Sequence, residues 1–244
     1  MKTLHKILIF GLIFGFYTQN ANAETCLDLE KGKETQIKRL EVAKNKIFEQ
    51  DTLSLKVIKE KQLQKVTAIQ EKTSDRILEL QTILHDLENL PNQSETVSST
   101  IKTLGNQIFI YKEKTDESIS FFSSGVDKIL EDKSKAIKNI VHQYEINTLE
   151  LYDKAITSCE KIGLFDEDEF AIEMKSAQKR VIDVEKNSKR ILQGIDSLYA
   201  TLSLELDESD NALNLVLKSI QTSLLKNPPE DLKPLSLFRL WRML

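Results

Sequence analysis

Apolar residues in this chain recur at helical spacing. In the first part of the sequence Ile47, Ile58, Ile69 and Leu80 stand eleven residues apart, and Leu55, Val66 and Ile77 follow the same step. In the middle, Val97, Ile108, Ile119, Leu130, Val141 and Tyr152 repeat it. An eleven-residue step is about 3.67 residues per turn, which gives nearly straight or slightly right-handed packing. Further on, Ala177, Val184, Ile191 and Leu198 step by seven, as do Val181 and Ile195 with Ser188 between them. That is the step of a left-handed coiled coil. The alternation expected of strands is absent from all three stretches.

Proline marks where the helices stop. The only prolines are Pro91, Pro228, Pro229 and Pro234, and a proline inside a helix removes a hydrogen bond and clashes with the preceding turn. Ser94 is placed to cap a helix after Pro91. Gly163 suits a helix C-terminus, and Asp166 to Glu169 put negative charge at the start of the next helix. The pattern predicts helices over about 26–90, 94–162 and 166–226. Each spans roughly 90–100 Å at 1.5 Å per residue, and short turns make neighbours antiparallel. The fold class is therefore all-α: an elongated antiparallel three-helix bundle or coiled coil with very long helices. Gly105, Gly125 and Gly194 interrupt the pattern, and "FFSSGVD" (121–127) is the first place to look for a kink, but periodicity resumes in register on both sides, so the helix is expected to run straight through.

Composition adds a compartment. Lys2, His5 and Lys6 precede an apolar run from Ile7 to Phe16, and Ala21-Asn22-Ala23 offers small residues at a cleavage site. This is the pattern of a secretory signal peptide over 1–23, too short to span a bilayer. The expectation is an exported chain, periplasmic or extracellular, cleaved near Ala23. Charged residues make up 30% and aromatic residues 7%, the balance of long helices with narrow apolar stripes. Lys+Arg number 34 against Asp+Glu 38 with no basic block, which argues against a nucleic-acid partner.

Two cysteines in an exported chain suggest one disulfide. If the first two helices form a hairpin turning at Pro91-Asn92, residues level with each other have numbers totalling about 184. Cys26 is then level with a residue near 158, one position from Cys159. Cys159 also continues the row Leu104, Thr115, Val126, Ile137 and Thr148, so it faces inward. The expectation is an intrachain Cys26–Cys159 bond at the open end of the hairpin.

Catalytic chemistry finds no foothold. Beyond the signal, His85 and His142 are far apart along different helices, and no H-E-x-x-H, C-x-x-C, glycine-rich phosphate loop or nucleophile elbow occurs. Asp166 to Glu169 and Asp207-Glu208-Ser209-Asp210 read as solvated charge, the latter lacking the features of a calcium loop. No enzyme activity, cofactor or metal is expected. The remaining feature is the segment 228–244, a proline-rich linker and amphipathic tail. Leu237, Leu240, Trp241 and Leu244 share a helical face beside Phe238. Three readings stand for it: a lid on the bundle, a helix docking in a partner's groove, or a membrane-interface segment. Phe238, Leu240, Trp241 and Leu244 are the candidate contacts.

The leading expectation is an exported, non-enzymatic structural or interaction protein that presents a binding tip or tail to a partner in the cell envelope or on a target surface. Its architecture resembles that of minor pilins and adhesins of type IV secretion systems, at fold level only. Two other classes compete. A periplasmic holdase chaperone would call for a trimer with a basic, apolar-lined cavity. A membrane-active helical toxin would call for a long apolar hairpin, to which only "NQIFIY" and "ISFF" come close.

Overall fold

In a computed structural model, the structure describes residues 26–91, 93–162, 167–226 and 228–229, with all side chains within the helices except those of 162, 167, 177–189 and 191. Among these residues regular structure is entirely α-helical. Helix α1 spans Cys26–Glu88, α2 spans Glu95–Ile162 and α3 spans Glu167–Lys226.

Helix α1 stops two residues short of the sequence expectation, because the chain turns before Pro91. Leu90 N donates to Leu87 O at 3.3 Å, a tighter turn than the α-helix makes. The amide of Gln93 donates to Glu88 O at 2.8 Å, supplying a partner for a carbonyl at the helix end. Ser94 caps α2 as its sequence position predicts: its Oγ accepts from Val97 N at 3.3 Å.

The chain divides into two compact units. Of the described residues, the turn unit contains those in 59–128 and from 195 onward, and the disulfide unit those up to 58 and in 129–194. Each draws on all three helices.

In the turn unit one continuous apolar core forms. Leu80, Ile83 and Leu87 from α1 meet Val97, Leu104, Ile108 and Tyr111 from α2 and Leu213, Leu217, Ile220 and Leu224 from α3. Contacts fix the helix directions. Tyr111 meets Asp210, and Phe122 meets Tyr199, so numbers rise on α2 as they fall on α3: these helices are antiparallel. Lys65 meets Tyr199, and Arg76 meets Asp210, eleven residues further on both helices, so α1 and α3 run parallel.

Within the disulfide unit, Lys33 pairs with Asp153, Lys44 with Glu145 and Asp51 with Lys133, which makes α1 and α2 antiparallel there too. The Tyr152 ring packs edge-on to Phe170 of α3, with centroids 5.1 Å apart.

Helix α2 runs unbroken through "FFSSGVD". Gly125 serves close packing instead of a kink. A Cβ there would stand 2.7 Å from Leu198 Cδ1, inside contact distance, so α3 approaches α2 where a side chain is missing.

Candidate functional site: the disulfide clamp and the tail

Cys26 opens α1, and Cys159 lies near the end of α2 on its inward-facing row. The two are bonded across 133 residues, with Cα atoms 5.7 Å apart, and no free cysteine remains among the described residues. The hairpin level and the apolar row therefore located the bond correctly. Cys159 is buried, while Cys26 is partly exposed.

The layer next to the bond is aromatic. Gly32 faces Tyr152, where an added Cβ would make ordinary contact at 3.5 Å. Burial raises the Tyr152 phenol above its usual pKa. Lys33 and Asp153 form an ion pair beside this contact. A surface depression of about 430 Å³ is lined by Asp153, Lys154, Thr157, Ser158 and Lys161, all on α2. Its lining residues are polar in type, but the surface they turn toward it is mostly aliphatic carbon, as on the side of an exposed helix.

Two polar clusters escaped the sequence reading. The first is the Lys133–Asp51 pair, 2.6 Å apart with both side chains only 8% exposed. Lys133 follows Ile119, Phe122, Val126 and Leu130 at steps of three and four, so it occupies the inner stripe of α2. Asp51 holds the matching place on α1, between Ile47 and Leu55. That position on an apolar stripe was the available signal, and their numbers total 184, the level rule already applied to the cysteines.

The second cluster lies in the turn unit. Tyr111 Oη donates to Asp210 Oδ1 at 2.7 Å. Arg76 Nη1 stands 3.4 Å from the same oxygen, and Nη2 donates to Asn214 Oδ1 at 2.5 Å. The guanidinium also lies over the Tyr111 ring, 5.8 Å from its centroid. Burial, then the hydrogen bond to Asp210 and that carboxylate's charge, push the Tyr111 phenol up to about 12, with Arg76 and Thr73 opposing. This corrects the reading of 207–210 as wholly solvated charge: Asp210 turns inward and accepts from a core tyrosine. The cluster fixes how the three helices align, since a slip by one turn would separate its members.

The candidate contacts Phe238, Leu240, Trp241 and Leu244 lie outside the described residues. Among the described residues no group of three His, Cys, Asp or Glu side chains could hold a metal ion, and no helix is long and apolar enough to cross a membrane. Exposed apolar side chains do occur, such as Leu53 and Val57 on α1, Phe109 and Phe121 on α2, and Leu204 and Leu215 on α3. Leu53 and Val57 are neighbours one turn apart, a small pair, and exposed apolar residues in such numbers are ordinary on a helical surface. The chain matches no family model, no curated protein and no solved structure.

Proposed function

We propose that this chain is an exported, non-enzymatic structural or interaction protein, a disulfide-clamped bundle of three long helices that presents its C-terminal tail to a partner in the cell envelope. The observation that carries the reading is the Cys26–Cys159 bond on helices of 63 and 68 residues. A disulfide that ties two structural helices suits an oxidising compartment, and residues 1–23 have the composition of an export signal. The tail supplies the contact surface: Trp241 and Phe238 are the anchors, since aromatic residues dominate such interfaces.

The reading includes the rod expected from the helix lengths. A maximum dimension near 100 Å in solution scattering supports it, whereas a radius of gyration near 18 Å, that of a globular chain of this size, counts against it.

Two measurements decide the rest. Intact mass of the protein recovered from the envelope of an expressing bacterium should show a chain beginning at Glu24; a chain retaining residues 1–23 in the cytoplasm defeats the export reading. Deleting 234–244 should leave helicity and the disulfide intact while abolishing association with envelope components, and Trp241→Ala should weaken it by about 2 kcal/mol. Equal recovery of partners by both forms, with a lower melting temperature for the truncation, makes the tail a lid on its own bundle.

A further inference from the structure

We propose that the disulfide unit is a redox-operated clasp: reduction of Cys26–Cys159 by a dithiol releases the first half of α1 from α2, while the turn unit stays packed. The proposal begins with how little else holds that half. Across residues 26–58 of α1, Leu29 is the one buried apolar side chain. Ile47, Phe48, Leu55 and Ile58, which should form its core face, are only half-buried. In the turn unit the same helix buries Val66, Leu80, Ile83 and Leu87.

The described ties from this half to α2 include three ion pairs. Lys33–Asp153 and Lys44–Glu145 are partly exposed pairs that contribute little. The buried Lys133–Asp51 pair has lost hydration to form, so water that reaches it on opening compensates for its separation. Thr148, fully buried on the same stretch of α2, has its hydroxyl oxygen unpartnered, another cost that opening relieves. With the turn unit packed, the disulfide fixes the free end of a segment that runs from 58 back to Cys26, and it is the one covalent tie there.

Its placement also permits the chemistry. Cys26 is the partly exposed partner and Cys159 the buried one. A thiolate of the incoming dithiol attacks Cys26 Sγ, forming a mixed disulfide and expelling the Cys159 thiolate. The second thiol of the reductant, as its thiolate, attacks the reductant's own sulfur in that mixed disulfide and releases Cys26. Two electrons pass to the protein. The two protons of the dithiol end on Cys26 and Cys159, and the reductant leaves as a disulfide.

The test is hydrogen exchange on the full oxidised chain, before and after treatment with a small dithiol under native conditions, with free thiols titrated in parallel. The expected result is two thiols per chain and at least tenfold faster exchange at amides of 26–58, against less than a twofold change at 80–108 and 213–224. Reoxidation should restore the original rates. Because the protein folds before it is reduced, a folding failure cannot imitate the effect. A Cys26→Ser/Cys159→Ser chain gives the second reading: it should show the fast α1 rates with no reductant and no response to one. A bond that resists the dithiol, unchanged exchange after full reduction, or equal acceleration in both units each overturns the proposal.

Discussion

The two units solve the same packing problem with different materials. The turn unit aligns three helices through a continuous apolar core, with one polar cluster, Arg76, Tyr111 and Asp210, set beside it. In the disulfide unit the described buried apolar side chains are Leu29, Leu130, Tyr144, Cys159 and Met174, and the described fastenings between α1 and α2 include three ion pairs and a covalent bond. The eleven-residue row on α2 shows the transition within one helix. Val97, Ile108, Ile119 and Leu130 are buried, whereas Val141 and Tyr152, on the same row, are half-buried. Periodicity alone does not decide how much apolar surface a helix buries; the partner's stripe must match it. Opposite Leu130 and Lys133 the α1 stripe offers Asp51, so an ion pair stands where the turn unit would have placed two leucines.

The largest expected effect tests that substitution of charge for apolar packing. Asp51→Ala should destabilise the disulfide unit by about 3 kcal/mol, because it leaves the Lys133 ammonium buried without its partner. The double variant Asp51→Leu/Lys133→Met should be neutral or more stable than the native chain, since it removes both desolvated charges and fills the space. Urea denaturation of the three proteins, with m-values compared, checks both. If the double variant is as damaged as the single one, the pair contributes more than packing could, and the two units differ less in what holds them.

Much of this was legible in the sequence. Proline confinement placed the helix ends, because a proline cannot sit inside these helices without breaking them. Counting levels from Pro91 paired Cys26 with Cys159, because a hairpin of regular helices converts sequence distance into height. The buried polar pairs were harder to see. Charged residues on an apolar stripe look like lapses in the pattern until the opposing helix is laid beside them. Lys133 becomes readable only with Asp51, and Asp210 only with Tyr111 and Arg76. At Gly125 the register of the apolar rows on either side pointed to a continuous helix, as found, but not to why a glycine stands there: it admits Leu198, a contact between helices remote in sequence.

The next effect, smaller, concerns one phenol in each unit. Tyr111 ionises near 10 in the unfolded chain and near 12 in the folded one. Its contribution to stability is therefore complete below pH 10. Between pH 10 and 12 the unfolded chain releases a proton that the folded chain keeps, so stability falls as pH rises, and the contribution is gone above 12. The rise from 10 to about 12 sets a ceiling of about 2.7 kcal/mol on the loss across that window, and solvent screening of the part-buried phenol brings it lower. Tyr111→Phe should flatten the alkaline slope relative to the native chain and leave stability below pH 10 lower, since Asp210 then has only Arg76 of the pair. Tyr152 is also raised, by burial, but it has no carboxylate acceptor like Asp210 among the causes of its shift. Tyr152→Phe should flatten the slope less. Denaturation at fixed pH steps from 9 to 12 separates the two; an equal change from both would mean that burial alone sets the Tyr111 phenol and that the Asp210 bond adds nothing.

The smallest effects come from the glycines, and they compare packing density directly. Each helical glycine costs about 1 kcal/mol relative to alanine, so Gly→Ala is stabilising wherever the new methyl has room. At Gly32 and Gly105 it meets Tyr152 at 3.5 Å and Leu84 at 3.9 Å, ordinary contacts, and both substitutions should gain about 0.5–1 kcal/mol. At Gly194, in the disulfide unit, the methyl would meet Ile129 Cδ1 at 3.1 Å, and the half-buried Ile129 can yield a few tenths of an ångström. At Gly125, in the turn unit, it would meet Leu198 Cδ1 at 2.7 Å and Cδ2 at 3.3 Å, so the side chain must turn away from α2 near the buried Phe122 and Val126. Overpacking of this kind costs about 1–3 kcal/mol. The order of stability should therefore run from Gly32→Ala and Gly105→Ala, both above the native chain, through Gly194→Ala near it, to Gly125→Ala below it. Melting temperatures of the four single variants give that order in one experiment. A gain at Gly125 equal to that at Gly105 would mean that Leu198 moves without cost and that α2 and α3 are packed no more tightly in the turn unit than in the disulfide unit.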